Sequence, residues 1–492
     1  MDKKDKNLSS SPNLARAVGR NTIIQFGGKL VGTVLGFATS VLILRYLHPV
    51  GNGAYTTAMA YLGLFSVTAD LGLYLILVRD LNKPGADREH IVGNLLALRW
   101  LSAALILGIG AALVFVLPLS AAEKIAVLIG TGSFIAVAAS QLLVGIFQTN
   151  LAMGYVAGGE LAGRLVLLGL TWWVVRADGG LNGVMAAVVS GSVINLLIIW
   201  GAVRRFVRVR LRCDWTYWRS TLKQALPISL SIVLNLIYFR ADTIILRAFK
   251  GPYDVGLYGA AYKILEILNT FPIMFVGLLL PALGAAFAGR DPSAFQRIFQ
   301  KGFVLLLMAI VPLLVGGWLL AEPLLVLIGQ AEYAPAAPVF RLLLIAVGAL
   351  FLGSLSGHVV TIINRQRQMV WTYLAVAVIG LGLYLTLIPR YSLYGAAFGT
   401  IVTEALTATV GYVIILRVMR FRLQLGALPR LILAGAVMGG FIILTRPMNF
   451  WLAAIGGSAA YIGILFLTRA LSPGVVRDLL SRAPTTVPTL PE

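Results

Sequence analysis

The sequence predicts an all-α polytopic membrane protein with fourteen transmembrane helices, built as two parallel-related six-helix lobes plus two C-terminal helices. Three observations predict it. Long apolar stretches recur along all 492 residues, and hydrophobic residues reach 59% against 12% charged, where soluble domains carry about a quarter charged. The positive charge of the connections alternates from one to the next. Turn motifs of the first half return in the second.

A hydrocarbon core about 30 Å thick needs roughly 20 apolar residues. Stretches that meet this requirement lie at 21–47, 54–78, 91–117, 121–148, 156–175, 181–203 and 224–248 in the first part of the chain. They continue at 255–287, 298–320, 336–363, 369–388, 394–416, 428–446 and 450–469. The first stretch, Ile23 to Leu47, is longer than a signal-peptide core, and no small-residue cleavage site follows it, so it reads as a span. The organisation that results is a cytoplasmic tail (1–20), an N-lobe of six spans (21–203), a basic cytoplasmic linker (204–223) and a C-lobe of six spans (224–417). Two further spans (428–469) and a second cytoplasmic tail (470–492) follow.

The net charge of +21 is a matter of placement. With the N-terminus inside, 27 of the 40 cations fall in cytoplasmic segments, from Lys3 through the Arg204–Lys223 linker to Arg482, and seven in the opposite loops. This is the positive-inside signature, so the charge sets topology and suits an anionic leaflet, and a nucleic-acid partner is not expected. The linker alternates Arg208, Arg210 and Arg212 and carries Trp215, Tyr217 and Trp218, which reads as a segment lying on lipid headgroups. Recruitment of a glycosyltransferase is the other reading. The single Cys213 precludes an intrachain disulfide.

The internal repeat is carried by short motifs. Arg45-Tyr-Leu-His-Pro-Val-Gly-Asn-Gly-Ala-Tyr55 after span 1 parallels Arg247-Ala-Phe-Lys-Gly-Pro-Tyr-Asp-Val-Gly-Leu-Tyr258 after span 7. Leu181-Asn-Gly183 at span 6 parallels Leu393-Tyr-Gly395 at span 12. Six spans separate each pair, and an even number preserves orientation, so the repeats are parallel, about an axis along the membrane normal. Two such lobes imply a cleft and transport by rocking. Pro227, Pro272, Pro281 and Pro312 each remove a backbone bond inside or at the start of a span, with Pro272 the best hinge candidate.

Six cations (Lys29, Arg99, Arg164, Arg240, Lys263, Arg341) and five anions (Asp70, Glu160, Asp242, Glu266, Glu404) fall within spans. Mid-bilayer charge costs about 2.5–3.5 kcal/mol on insertion scales, so such residues face the bundle interior or water. Helical spacing groups Gln25, Lys29, Gly32 and Gly36 on span 1, Ser231, Asn235, Tyr238 and Asp242 on span 7, and Tyr258, Tyr262, Glu266 and Asn269 on span 8. Glu160 and Arg164, four apart, either pair with each other or line a cavity. Lys263 and Glu266 present the same choice. Lys29 and Asp70, at similar depths in adjacent spans, are expected to form an ion pair, and Arg99 and Arg341 lie near span ends where they can snorkel. His358 reads as a packed polar residue.

At this point the residues resemble a known family. Leu44–Tyr55, with Ala69-Asp-Leu-Gly-Leu73 and Val78-Arg-Asp80, resembles the start of prokaryotic polysaccharide or oligosaccharide flippases, which belong to the multidrug/oligosaccharidyl-lipid/polysaccharide exporter superfamily. Trp218-Arg219, Leu226-Pro-Ile-Ser229, Arg240-Ala-Asp242 and Val255-Gly-Leu-Tyr-Gly-Ala-Ala-Tyr-Lys263 follow the family's order. The resemblance covers about residues 15–470, with one departure, His48 where glycine is common. It implies a non-enzymatic flippase that moves polyprenyl-diphosphate-linked oligosaccharide from the inner to the outer leaflet of the cytoplasmic membrane. Glycosyltransferases or a polymerase would be its functional partners.

A hydrated cationic cavity suits such cargo. Lys29, Arg164, Arg240, Lys263 and Arg341 are the candidate diphosphate partners, with Asn235 and Tyr262 for the sugar. Asp242 and Glu404 are the candidates for proton or sodium coupling. No catalytic or metal-ligating constellation and no cofactor are read, and no phosphate-binding Gly-x4-Gly-Lys-Ser/Thr loop occurs. The competing reading within the superfamily is a cation-coupled multidrug antiporter, which calls for an anionic, aromatic pocket. An enzyme calls for an acid/base cluster in a large outer loop, whereas the longest outer connection, Ala321–Pro335, carries only Glu322 and Glu332.

Overall fold

A computed structural model describes residues 12–470; the side chains of 12–24, 26 and 226–239 lie outside that description. The order is α1 (Pro12–Asp70), α2 (Leu73–Leu81), α3 (Arg88–Leu113), α4 (Ala121–Thr149), α5 (Met153–Arg176), α6 (Gly180–Val203), α7 (Trp215–Lys250) and α8 (Pro252–Ala288). Then come α9 (Pro292–Leu319), the short α10 (Ala321–Gly329), α11 (Ala337–Ile362), α12 (Gln366–Tyr391), α13 (Leu393–Met419), α14 (Leu428–Thr445) and α15 (Phe450–Leu467). The described residues contain no strand. Twelve of the described helices are long and apolar enough to cross a membrane, which makes the chain a multi-pass membrane protein.

One of those twelve runs 55 residues from Gly27 to Leu81. At 1.5 Å per residue that is about 80 Å, more than twice the hydrocarbon thickness. It turns at His48, whose backbone (φ 55, ψ 177) leaves the helix directly before Pro49. The seventh expected span falls on α7, a helix of 36 residues whose N-cap Asp214 accepts from Thr216 N and Tyr217 N at 2.9 and 3.1 Å. Other caps follow the same chemistry. Ser120 and Glu123 form a reciprocal capping box on α4, and Asn449 accepts from Trp451 N on α15.

Two compact units emerge, Met1–Gly256 and Leu257–Glu492. The first includes α7, whereas the sequence repeat places that helix at the head of the second lobe; one division follows packing, the other the repeat. The repeat is visible in neighbour relations. In the first unit α6 packs against α4 and α5; in the second α13 packs in the same way against α11 and α12. The first unit's core gathers Leu77, Leu95, Leu142 and Phe147, with Trp218 against them. In the second, α14 and α15 pack on each other and on α9 through Leu431, Met438, Ile442 and Tyr461, whose hydroxyl donates to Met308 O at 2.9 Å.

The repeated turns also match in backbone. Gly251 adopts φ 93, ψ 177 before Pro252, as His48 does before Pro49. This region is almost glycine-only, so a glycine is the unstrained residue at both places and His48 occupies one of them under strain. The turns meet reciprocally. A Cβ on Gly53 would overlap the carbonyl oxygen of Pro252, and one on Gly256 would overlap that of Pro49. Asn52 Nδ2 donates to Gly256 O at 2.9 Å beside them.

Candidate functional site

In the first unit the site is built where α5 lies on α1. Small residues permit that approach: a Cβ on Gly28 would sit 2.9 Å from the Ala157 Cβ. One turn on, the Arg164 guanidinium from α5 lies over Gly32 and Gly36, and its Nη1 donates to Gly32 O at 2.7 Å. Glu160 and Arg164 therefore do not pair; among the described residues no ion pair links them, and the guanidinium takes a helix-1 carbonyl instead. Lys29, Glu160 and Arg164 are all exposed at positions inside spans. A charge at such positions is costly against lipid. Asn195 adds a buried Oδ1 that has no hydrogen-bond partner among the described residues, next to Gly159. The sequence reading missed it, although an asparagine inside the apolar run of α6 was the available signal.

The expected Lys29–Asp70 ion pair is replaced by another. Asp70 pairs with Arg99 at 2.7 Å, and Arg99 is 1% exposed. The reason is a break in the chain: Leu71 and Gly72 take positive φ (52° and 66°), which ends α1. The freed Ala69 carbonyl accepts from Arg99 Nη1 at 2.9 Å and from Ser102 Oγ at 3.1 Å, while Arg99 Nε donates to Ala138 O at 3.1 Å. Arg99 is thus a fastener of three helices rather than a snorkelling or cavity residue. Lys29 is exposed and makes no ion pair among the described residues.

Of the α7 candidates, Asn235 has its side chain outside the described residues, and Arg240 is half-buried. Asp242 is buried, and its Oδ1 accepts from Thr243 N at 2.6 Å and Thr243 Oγ1 at 3.2 Å.

In the second unit Lys263 and Glu266 pair at 3.1 Å on the open side of α8. Tyr262 is buried, with its ring 5.5 Å from that of Tyr258. The Tyr258 and Tyr384 hydroxyls both lie near Thr400 Oγ1, at 3.3 and 3.4 Å. Glu404, one turn beyond Thr400 on α13, is 4% exposed and makes no hydrogen bond or ion pair among the described residues. Ser354 Oγ on α11 and Tyr412 Oη on α13 are likewise buried without partners. Arg341 Nε donates to Trp318 O at 3.0 Å in the last turn of α9, which sets it at helix ends. His358 Nδ1 lies 2.7 Å from Ser354 O, a packed position as expected.

The chain matches the family described as polysaccharide biosynthesis protein over residues 18–287, and the MatE family over 227–388. It is 25% identical over 359 residues to the succinoglycan biosynthesis transport protein ExoT of Rhizobium meliloti (strain 1021), covering 68% of this chain and 67% of that one. In three dimensions it is similar to the lipid II flippase MurJ in its inward closed conformation, with a TM-score of 0.77 at 13% identity over 91% of this chain and 99% of that one. It is also similar to an inward-facing multidrug resistance MATE family transporter of the MOP superfamily, with a TM-score of 0.65 at 15% identity over 81% and 98% of the two chains. At these identities the structural likenesses speak to the fold.

Proposed function

This chain belongs to the polysaccharide biosynthesis protein family, and from that premise we propose that it is a flippase for polyprenyl-diphosphate-linked oligosaccharide. It carries the lipid-linked glycan from the inner to the outer leaflet by alternating access through a cationic cavity. The carrying observation is the pair Lys29 and Arg164, two in-span cations on an open face, with Arg164 held in place by Gly32 O. In a partly dehydrated cleft, attraction between such cations and a diphosphate exceeds that in bulk water. A relative that serves succinoglycan transport and a fold shared with a lipid II flippase support the same reading.

Lys29 and Arg164 are the diphosphate partners offered by the first unit, and Lys263 the one offered by the second. Arg240 and Arg341 take smaller parts. Asn235 and Tyr262 serve the sugar. Glu404 supplies coupling, with Asp242 the weaker candidate because Thr243 already donates to it. A buried carboxyl without a partner changes its energy on binding a proton or sodium ion, and such a difference biases a two-state transporter. The basic side, with both termini, faces the cytoplasm. Transport ends where the product is consumed at the outer leaflet. The MatE match and the MATE-like fold keep a drug–cation antiporter in view, but an open face with two cations and one anion attracts anions.

The test is complementation of polymer export in a strain lacking its own flippase, with Lys29, Arg164, Arg240, Lys263 and Arg341 replaced by alanine one at a time and Glu404 by glutamine. Export falls most for Lys29→Ala and Arg164→Ala at unchanged protein level, and Glu404→Gln slows the cycle. Wild-type export in all five cation variants would refute the cationic cavity.

A further inference from the structure

We propose that the segment 204–223 is a binding surface for the anionic phospholipid headgroups of the leaflet it borders. The segment is an ordered ribbon that leads into the first turns of α7. Residues 207–214 run outside any helix and are fastened along the start of α3: Arg212 N donates to Gly93 O at 3.3 Å, Asp214 N to Asn94 Oδ1 at 2.7 Å, and Trp218 Nε1 to Asn94 O at 3.0 Å. Val207 turns into the core, and Arg208, Arg210 and Arg212 are exposed at alternate positions. Where the ribbon becomes α7, Trp215, Arg219 and Lys223 follow at four-residue spacing and are exposed, while Trp218, Thr221 and Ala225 are buried. The result is one cationic strip.

Its charges are uncommitted. Arg205 is engaged, with Nη1 donating to Tyr155 Oη at 2.8 Å, and Asp214 lies 3.5 Å from His90. Arg208, Arg210, Arg212, Arg219 and Lys223 make no side-chain hydrogen bond or ion pair among the described residues. Five neighbouring cations with no partner among the described residues are placed to receive anions.

Depth selects the partner. Gly93 and Asn94 stand in the second turn of α3, about 8 Å along the helix from its start at 1.5 Å per residue. The ribbon therefore lies at headgroup level beside the helix ends and not out in the aqueous phase. Trp215, 71% exposed, and Leu211, 52% exposed, stand among the cations. Tryptophan belongs to the membrane interface, and clustered Lys and Arg next to a span favour anionic lipid. The surface is separate from the cargo site, and only the side it faces rests on the orientation proposed above.

Brominated lipids test this, because bromine on the upper acyl carbons quenches a tryptophan held at the interface. The protein is reconstituted with brominated phosphatidylglycerol or brominated phosphatidylcholine, and the Trp215 contribution is taken as the difference between the unaltered protein and Trp215→Phe. Expected is a preference for phosphatidylglycerol at Trp215 on the order of tenfold. It falls towards parity in Arg208→Gln/Arg210→Gln/Arg212→Gln. In the unaltered protein it also falls in about 1 M salt, where the Debye length is about 3 Å. The salt series stands even where the triple variant fails to fold. Equal quenching by both lipids, a salt-independent preference, or a Trp215 that neither lipid quenches, as when a soluble protein covers the strip, would overturn the proposal. None of these readouts depends on transport, so failure here leaves the flippase assay to be judged separately.

Discussion

Neutralising Glu123 removes the anion from a buried two-point contact. Glu123 is 1% exposed in its side chain and accepts from Arg247 Nε at 2.6 Å and Nη2 at 2.7 Å, tying the end of α7 to the start of α4. Its Oε2 also accepts from Ser120 N and Ser120 Oγ, both at 2.8 Å. Glu123→Gln keeps the shape and a residue type the capping box accepts, so little of the loss comes from the cap. It leaves a mostly buried guanidinium without its counter-charge, and breaking a buried pair from one side costs about 3–5 kcal/mol. Arg247→Met leaves the carboxylate buried but still served by Ser120, so its cost is lower, about 2–3 kcal/mol. The double variant removes both charges and ends near the single variants, a coupling of about 2–3 kcal/mol. Reversible unfolding in mixed micelles, read for all four proteins, measures the cycle. Single costs below about 0.5 kcal/mol that simply add would mean that the contact is not a stabilising latch.

Two predictions concern the repeated turns. His48→Gly is expected to exceed His48→Ala in stability by about 1 kcal/mol, because only glycine adopts this backbone without strain and both variants lose the imidazole equally; an alanine variant of equal or higher melting temperature would refute the strain. Gly53→Ala and Gly256→Ala each drive a methyl group into a backbone carbonyl that cannot rotate away, at a cost of about 3 kcal/mol. Size-exclusion profiles and melting temperatures check this, and wild-type behaviour of either variant would show that the turns do not meet as described.

The expectations that held and those that changed differ in physical kind. That Lys263 meets Glu266 was legible because both lie on one helix at three-residue spacing. Glu160 and Arg164 had the same local geometry, yet Arg164 turned to Gly32 on another helix, where missing side chains open a groove and an accessible carbonyl. Depth alone pairs Asp70 with Lys29. Depth says nothing of rotation about the helix axis, and the break at Leu71–Gly72 presented Asp70 and the Ala69 carbonyl to Arg99. In the sequence His48 is one departure from a common glycine; backbone dihedrals give that departure its cost.

The sequence by itself determined that this is an all-helical, multi-pass membrane chain with an internal parallel repeat and a family kinship. Span length answers to bilayer thickness, charge placement to the leaflet, and turn motifs to local backbone, so each acts within a few residues of where it is written. Only the tertiary structure decided which partner each in-span charge takes, that Arg99 is buried while Lys29 and Arg164 stand open, and that residues 207–214 form a fastened ribbon leading into α7. These depend on how helices rotate and pack, which is fixed by side chains distant in sequence, and in a low-dielectric interior a charge goes to whichever helix brings the nearest dipole or counter-ion.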